Sequence, residues 1–464
     1  MAETAQEHRL RPIEKIGYGL GDTASNIVFQ TVMLLLAYFY TDIFGISAAA
    51  MGTLFLAVRV LDAITDPMMG ALCDRTQTRW GKFRPYLLWL CLPFAIISIL
   101  TFTTPDLSST GKLIYAYITY SLLMLVYTAI NIPYCALGGV LTPDTRERVS
   151  LNGYRFFLAT AGGVLVASAT LPLTKLLGQG DDQKGYQLAM AVFSVLGVFF
   201  FITCFLLTKE RVTQATSTAR ASLGKDIKLL IANDQFLVVA LLNFVLLIPL
   251  AIRMGAAAYY MKWFAQREDL ITPFLTTGMV AMMLGAGCAS TLTKYLSKVK
   301  AYMLLQIFAM IFSASLFFLK PGQLTWMFVL FAAVQFFVQM GAPILWTMMA
   351  DTVDYGEYKT ERRITGLVFS GSLFSLKMGV ALGGAILGWV LAHYGYQEKA
   401  TEQTPATIRG IALLFTVVPA AIHLLLVGLV NLYKLDQNRC DQIRAALDER
   451  SHTASTETRA NSEL

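Results

Sequence analysis

An all-α membrane protein with twelve transmembrane helices is the fold class this sequence predicts, on three observations. Of 464 residues, 56% are apolar and only 14% charged, where a soluble domain carries about 25% charged residues. Twelve apolar runs reach the length of about 20 residues that crosses ~30 Å of hydrocarbon. The 37 Lys and Arg are unevenly placed: about 26 fall in alternate connections and the two ends, and about six in the connections between. That asymmetry is expected when the basic side is the cytoplasm, with both ends on it.

The runs lie at 17–41, 47–72, 85–104, 112–141, 150–177, 186–208, 236–263, 271–294, 301–319, 323–349, 365–394 and 407–433. The eighth is the weakest, being rich in Thr and Gly; without it the C-terminus changes side. The longest connection, 209–235, divides the chain into six-helix bundles at 1–208 and 236–435, leaving a polar tail at 436–464. Within that connection Leu223 to Ile231 form an amphipathic piece suited to the membrane surface. Six plus six spans around a long central loop is the layout of the major facilitator architecture. A faint repeat agrees: Pro133, Asp144 and Glu147 recur at one offset as Pro343, Asp354 and Glu357.

Other classes are disfavoured. The net charge of +7 is explained by the cytoplasmic loops, so nucleic acid is not an expected partner. The six Cys show no C-x-x-C spacing and read as packing residues. The first 15 residues are polar and charged, so no cleavable signal peptide is expected. With four His and no triad, P-loop or dinucleotide fingerprint, neither an enzyme nor an ATP-driven pump is expected. No cofactor is expected, and no metal beyond a possible Na⁺.

The second run carries Arg59, Asp62 and Asp66. Their spacing puts all three on one helix face. A charge in hydrocarbon costs at least ~2.5–3.5 kcal/mol, so such residues face the protein interior or a water-filled cavity. Two carboxylates one turn apart beside a cation suit a Na⁺ or proton site, the chemistry of an ion-coupled transporter.

Ordered motifs then narrow the reading. They are Tyr18-Gly-Leu-Gly21-Asp22, Tyr40-Thr41-Asp42, Arg59-Val-Leu-Asp62-Ala-Ile-Thr-Asp66-Pro67, Arg79-Trp80-Gly81-Lys82-Phe83-Arg84-Pro85, and Asp351-Thr352-Val353-Asp354-Tyr355-Gly356-Glu357-Tyr358. Together, over about residues 15–435, they resemble the glycoside–pentoside–hexuronide cation symporter family of the major facilitator superfamily. The resemblance implies cation-coupled entry of a small glycoside by alternating access through a bacterial inner membrane. A pentoside or xyloside is expected, driven by H⁺ or Na⁺.

The resemblance also assigns residues. Asp62, Asp66 and Thr128 match the family's cation site, with Thr65 beside it where melibiose-type members can carry an amide. On the sugar side Asn26 and Asn131 stand where those members have Asp, Cys135 stands where they have Trp, and Arg155 and Lys377 match basic positions. Trp346 and Tyr127 are further aromatic candidates. Lys377 reads equally as a substrate contact or as a partner of Asp62 or Asp66. Asp22 reads as a helix-end or gating group, and Arg253 and Lys262 have no assigned role. Gating falls to Arg59, to Asp74 and Arg75 of a Gly-x-x-x-Asp-Arg loop, and to Asp351, Asp354, Glu357, Arg362 and Arg363 between the tenth and eleventh spans. These last are expected to lock onto Asp144, Arg146, Glu147 and Arg148. A charge count gives an alternative: three cations, Arg59, Arg155 and Lys377, face two carboxylates, which favours an anionic sugar derivative, a uronide or sulfonate, in a carrier that then exports it. A non-transporting sensor would be expected to carry an output domain larger than 436–464. A lipid mover would favour an apolar cavity. The expected partners are the small substrate and the bilayer, and the expected state is a monomer.

Overall fold

In hydrocarbon every backbone N–H and C=O must be paired within the protein, and a helix does this within its own segment. The structure is a computed structural model that describes residues 10–142, 145–211, 223–292, 295–362 and 364–436, with 438–443, 445–447, 449 and 450. Eleven helical stretches among these residues are long and apolar enough to cross a bilayer. The first span completes the twelve: Pro12–Thr31, continued by π-helical turns Val32–Leu36 and Phe39–Phe44. The second to sixth spans are Ala48–Arg75, Arg84–Thr101, Ser109–Val140, Thr145–Gly178 and Asp182–Leu207. The seventh to eleventh are Asp234–Tyr259, Ile271–Leu292, Lys298–Ser315, Leu324–Thr360 and Thr365–His393, and the twelfth is Pro405–Phe415 with Val417–Leu429. The Thr- and Gly-rich eighth run is thus a full helix. An even number of crossings puts both described ends on one face, here termed the terminal face; the other is the far face.

Short polar side chains start the helices. Ser47, Ser108, Asp181 and Thr404 on the far face, and Asn233 and Ser297 on the terminal face, each accept a backbone N–H three residues ahead. Such caps stabilise a helix by about 0.5–2 kcal/mol each. Gly45, at φ +88°, ends the first span in the left-handed region that disfavours a Cβ.

The loop after the second span is held by a residue that sequence reasoning missed. The Glu210 carboxylate accepts the backbone N–H groups of Lys82, Phe83 and Arg84 at 2.9, 2.8 and 3.0 Å. A carboxylate at the positive end of the third span satisfies otherwise orphaned donors. Gly81, at φ +109°, is required there, since a Cβ would strike Glu210. The side chains of Asp74 and Arg75, to which the motif gives a gating role, lie outside the described residues.

The tenth span is longer than expected. It continues to Thr360 and turns only at Glu361, at φ +56°, so Asp351, Asp354 and Glu357 are helical rather than in a loop. Pro133 and Pro343 both lie inside helices, the fourth and tenth spans. In the first half, by contrast, the chain leaves the helix at Val140, and Glu147 sits in the first turn of the fifth span. The amphipathic piece forms a helix, Leu223–Ala232, and Leu230 lies beside the position of Gly371 in the eleventh span.

The cores place the opening. One buried apolar cluster runs through the first six spans and crosses to Ile252–Met261, Phe274, Leu387 and Tyr396. A second comprises the last six spans, the chain after them and Leu230 of the amphipathic helix. The halves are therefore fused by core packing toward the far face.

Candidate functional site

The charged residues of the second span separate into two pairs. Arg59 Nη1 donates to Asp62 Oδ2 at 2.9 Å, with the side chains 4% and 1% exposed. The other oxygen of Asp62 is buried with no hydrogen-bond partner among the described residues. Asp66 accepts from Thr128 Oγ1 of the fourth span at 2.9 Å and is ion-paired with Lys377 of the eleventh. Asp66 and Lys377 are 25% and 28% exposed. Asp66 is therefore accessible in mid-span, and Asp62 is not. Thr65 is not brought in; its hydroxyl turns back to the Asp62 carbonyl at 3.4 Å. Of the two roles open to Lys377, the structure shows the pairing with Asp66.

A second cluster joins the first, fourth and fifth spans. Arg155 Nε donates to Asp22 Oδ2 at 2.8 Å, and its Nη2 lies 3.5 Å from Cys135 Sγ. The guanidinium sits beside the Tyr134 ring, 5.3 Å from its centroid. Asn26, one turn beyond Asp22, donates to the Asp22 carbonyl at 3.0 Å. Asn131 Oδ1 lies 3.9 Å from Cys135 Sγ. The predicted Asn26, Asn131 and Arg155 thus converge, with two corrections. Asp22 lies well inside its helix as the partner of Arg155, and is not a helix-end group. Cys135 is exposed and belongs to this cluster, whereas a packing residue would be covered.

The charge count changes accordingly. Arg59, Lys377 and Arg155 are matched by Asp62, Asp66 and Asp22. The positive charge left over in the sequence count is cancelled by Asp22, and the argument for an anionic substrate loses its premise. Trp346 is half-exposed, with its ring 6.4 Å from that of Phe369. Tyr127 is stacked on Phe29 at 5.7 Å, so one face of its ring is already covered.

Cross-half bonds concentrate toward the far face. The Asp42 carboxylate, at the end of the first span, accepts from Lys262 Nζ at 3.2 Å, Tyr396 OH at 2.6 Å and Thr41 Oγ1 at 2.8 Å. Lys262 also donates to Tyr38 OH at 2.8 Å, and Tyr38 OH to Glu268 Oε1 at 3.3 Å. The Thr41 and Tyr259 hydroxyls bond at 2.7 Å, and Glu398 caps the second span through the Ala48 N–H at 3.0 Å. This closure was not foreseen. The available signal was an Asp and a Lys at matching ends of the first and seventh spans, where both chains take π-helical turns; such turns recur at functional sites. Above it opens a recess of about 470 Å³ lined by Asp42, Asp181, Lys262, Glu268 and Lys399. Below it lies a chamber of about 30 Å³ reached by Arg59, Met33, Phe55 and Gly384. Arg253 is fully buried, bonded to Ser313 at 2.6 Å, so it neither snorkels nor lines the cavity.

On the terminal face two carboxylates have bonds within their own half. Asp351 is held by Lys298 and Tyr433, and Glu147 by Lys15. Asp144 and Arg363, and the side chains of Arg146 and Arg148, lie outside the described residues. Asp66 and Lys377 keep their exposure below a far face sealed by Thr41, Tyr259 and Tyr396.

This arrangement matches a known family across nearly the whole chain: residues 17–437 fit the profile of MFS/sugar transport proteins. The chain belongs to that family. It is 46% identical over 412 residues, 89% of each chain, to the inner membrane symporter YicJ of Escherichia coli K12. It is 44% identical over 434 residues, 94% of each chain, to that organism's putative glycoside/cation symporter YagG. A glucuronide carrier protein homologue from the same source is 31% identical over 437 residues, 94% of this chain and 95% of the other. Among solved structures, a bacterial homologue of the human lysosomal transporter Spinster, inward-facing and unoccupied, superposes with a TM-score of 0.68 over 91% of this chain and 96% of the other. At 14% identity that likeness concerns the fold. The transporter is therefore a sugar transporter of the glycoside–pentoside–hexuronide group, with a small-molecule substrate.

Proposed function

We propose that this transporter is a cation-coupled symporter for a neutral glycoside, of pentoside or xyloside type. In this reading it sits in a bacterial inner membrane with both termini cytoplasmic and its cavity facing the cytoplasm. One observation carries the coupling: Asp66 is held at once by Thr128 and Lys377 while staying accessible, one turn from an Asp62 oxygen that has no partner among the described residues. An H⁺ or Na⁺ on this pair competes with the Lys377 ammonium for Asp66. Cation binding thus loosens the tie between the second and eleventh spans. After release to the cytoplasm, Lys377 neutralises Asp66 again, so the empty carrier avoids moving an uncompensated charge through a low-dielectric path. The sugar binds among Asn26, Asn131, Arg155 and Trp346, whose amides and guanidinium are hydrogen-bonding groups for hydroxyls. YagG, a putative glycoside/cation symporter, supports this pairing of substrate and ion.

The test is Asp66→Asn in proteoliposomes. Gradient-driven accumulation is lost, while substrate exchange across the membrane persists. Full accumulation by this variant would overturn the assignment. In the unaltered transporter, titrating substrate with and without Na⁺ at fixed pH identifies the ion. If Na⁺ is coupled, each ligand tightens the other by one shared factor; if H⁺ is coupled, Na⁺ has no effect.

A further inference from the structure

We propose that Asp22 sets the charge class of substrate this transporter accepts. Paired with Arg155 it confines the sugar site to neutral glycosides, and its neutralisation turns Arg155 into a receptor for carboxylate- or sulfonate-bearing sugars. The inference rests on the glycoside reading above and deepens it.

Asp22 is 6% exposed, and its Oδ2 takes only the Nε edge of Arg155, at 2.8 Å. A guanidinium has five N–H donors. One is spent on Asp22 and one points at Cys135. The Arg155 side chain remains 19% exposed, so it keeps donors for a ligand while its net charge is cancelled. The surrounding groups are neutral: the Asn26 and Asn131 amides, the Cys135 thiol and the Tyr134 ring. The charges on the second and eleventh spans are already matched, Lys377 by Asp66 and Arg59 by Asp62, and Arg253 is fully buried against Ser313. A neutral sugar enters this field at no electrostatic cost and takes hydrogen bonds from the spare donors. A uronide must either approach the Asp22 carboxylate, where like charges repel, or displace it and leave it buried without its partner, and both are costly in a low-dielectric site. With Asn at position 22 the guanidinium is unopposed, and it offers the planar fork that suits carboxylates.

The experiment uses the full chain, purified in detergent, and calorimetric titration with three probes: 4-nitrophenyl β-D-xyloside, 4-nitrophenyl β-D-glucoside and 4-nitrophenyl β-D-glucuronide. The unaltered transporter is expected to bind at least one neutral probe tenfold or more tightly than the glucuronide. Asp22→Asn is expected to move the glucuronide-to-neutral affinity ratio by at least tenfold toward the glucuronide, and Asp22→Glu to retain the original ratio. A ratio unmoved by Asp22→Asn, or an unaltered transporter that already prefers the glucuronide, overturns the proposal while leaving a glycoside site intact. Binding of none of the three probes by the unaltered chain counts against the glycoside reading itself, and the proposal falls with it. If Asp22→Asn does not fold, the double variant Asp22→Asn, Arg155→Gln is read instead, because it leaves no lone charge. It is expected to exclude the glucuronide, and glucuronide binding by it overturns the proposal.

Discussion

Replacing Asp42 by Asn keeps the size of the side chain and removes the charge at the centre of the far-face closure. In the structure that carboxylate takes hydrogens from Lys262, Tyr396 and Thr41. The amide oxygen at the place of Oδ2 can keep both hydroxyl bonds, from Tyr396 and Thr41, while the NH₂ at the place of Oδ1 now meets the Lys262 ammonium, donor to donor. Hydrogen bonds to charged groups contribute about 1.5–3 kcal/mol. Lys262 is 19% exposed and keeps its bond to Tyr38, which places the loss near the low end, about 2 kcal/mol. In the far-open state water solvates the same groups, so the loss falls on the closed state alone. The closed-to-open ratio then drops about 30-fold. The assay is alkylation of a single cysteine, Met33→Cys, in a chain whose six native Cys are replaced. Met33 lines the chamber beneath the closure, and a membrane-impermeant maleimide is applied from the far face. The expected rate rises about thirtyfold with Asp42→Asn. An unchanged rate in a variant that still binds substrate would refute the claim that this carboxylate holds the far face shut.

Three further outcomes follow from the packing. Gly388 meets Gly52 across the halves, where a Cβ would lie 2.7 Å from the Gly52 Cα and against the Ala48 carbonyl; Gly388→Leu is expected to wedge the far face open and raise the same alkylation rate, and a rate lower than that of the parent counts against it. Glu210→Ala leaves the N–H groups of Lys82, Phe83 and Arg84 without their acceptor, at about 1–3 kcal/mol per donor left unsatisfied and less where water replaces the carboxylate; thermal unfolding of the purified protein should begin at lower temperature, and an unshifted transition would show that the cap does not stabilise the loop. Burial, and then the nearby Lys112 ammonium, hold the Lys399 amine below its usual pKa. A base depressed on folding binds fewer protons folded than unfolded, so its contribution to stability rises with pH from its lowered folded pKa up to about 10.4. Lys399→Met should remove that alkaline rise from the pH profile of thermal stability, and an identical profile would exclude it.

The membrane architecture was legible because hydrocarbon imposes it residue by residue. Run length and apolar content are local, and an unpaired backbone is costly wherever it occurs in the bilayer. The pairing of Asp66 with Thr128 and Lys377 was half-legible: the sequence placed each in mid-membrane, and the family resemblance grouped Asp66 with Thr128. Whether Lys377 turned to Asp66 or to a substrate was a matter of how the second and eleventh spans meet. Asp22 was misjudged for the same reason. Near the start of an apolar run, a lone Asp looks like a helix end, and only the contact between the first and fifth spans reveals Arg155 as its partner.

Sequence alone therefore determined the spans, the family and the chemical types at the site, since each is written in local composition or ordered motifs. Tertiary structure alone decided the charge balance of the cavity and the face that is closed. Both depend on which side chains meet across helices 100 or more residues apart: Asp22 with Arg155, Asp42 with Lys262 and Tyr396. Coulombic pairing is a property of distance in space, and an α-helix conceals that distance, because each residue advances the helix by only 1.5 Å while turning its side chain through 100°.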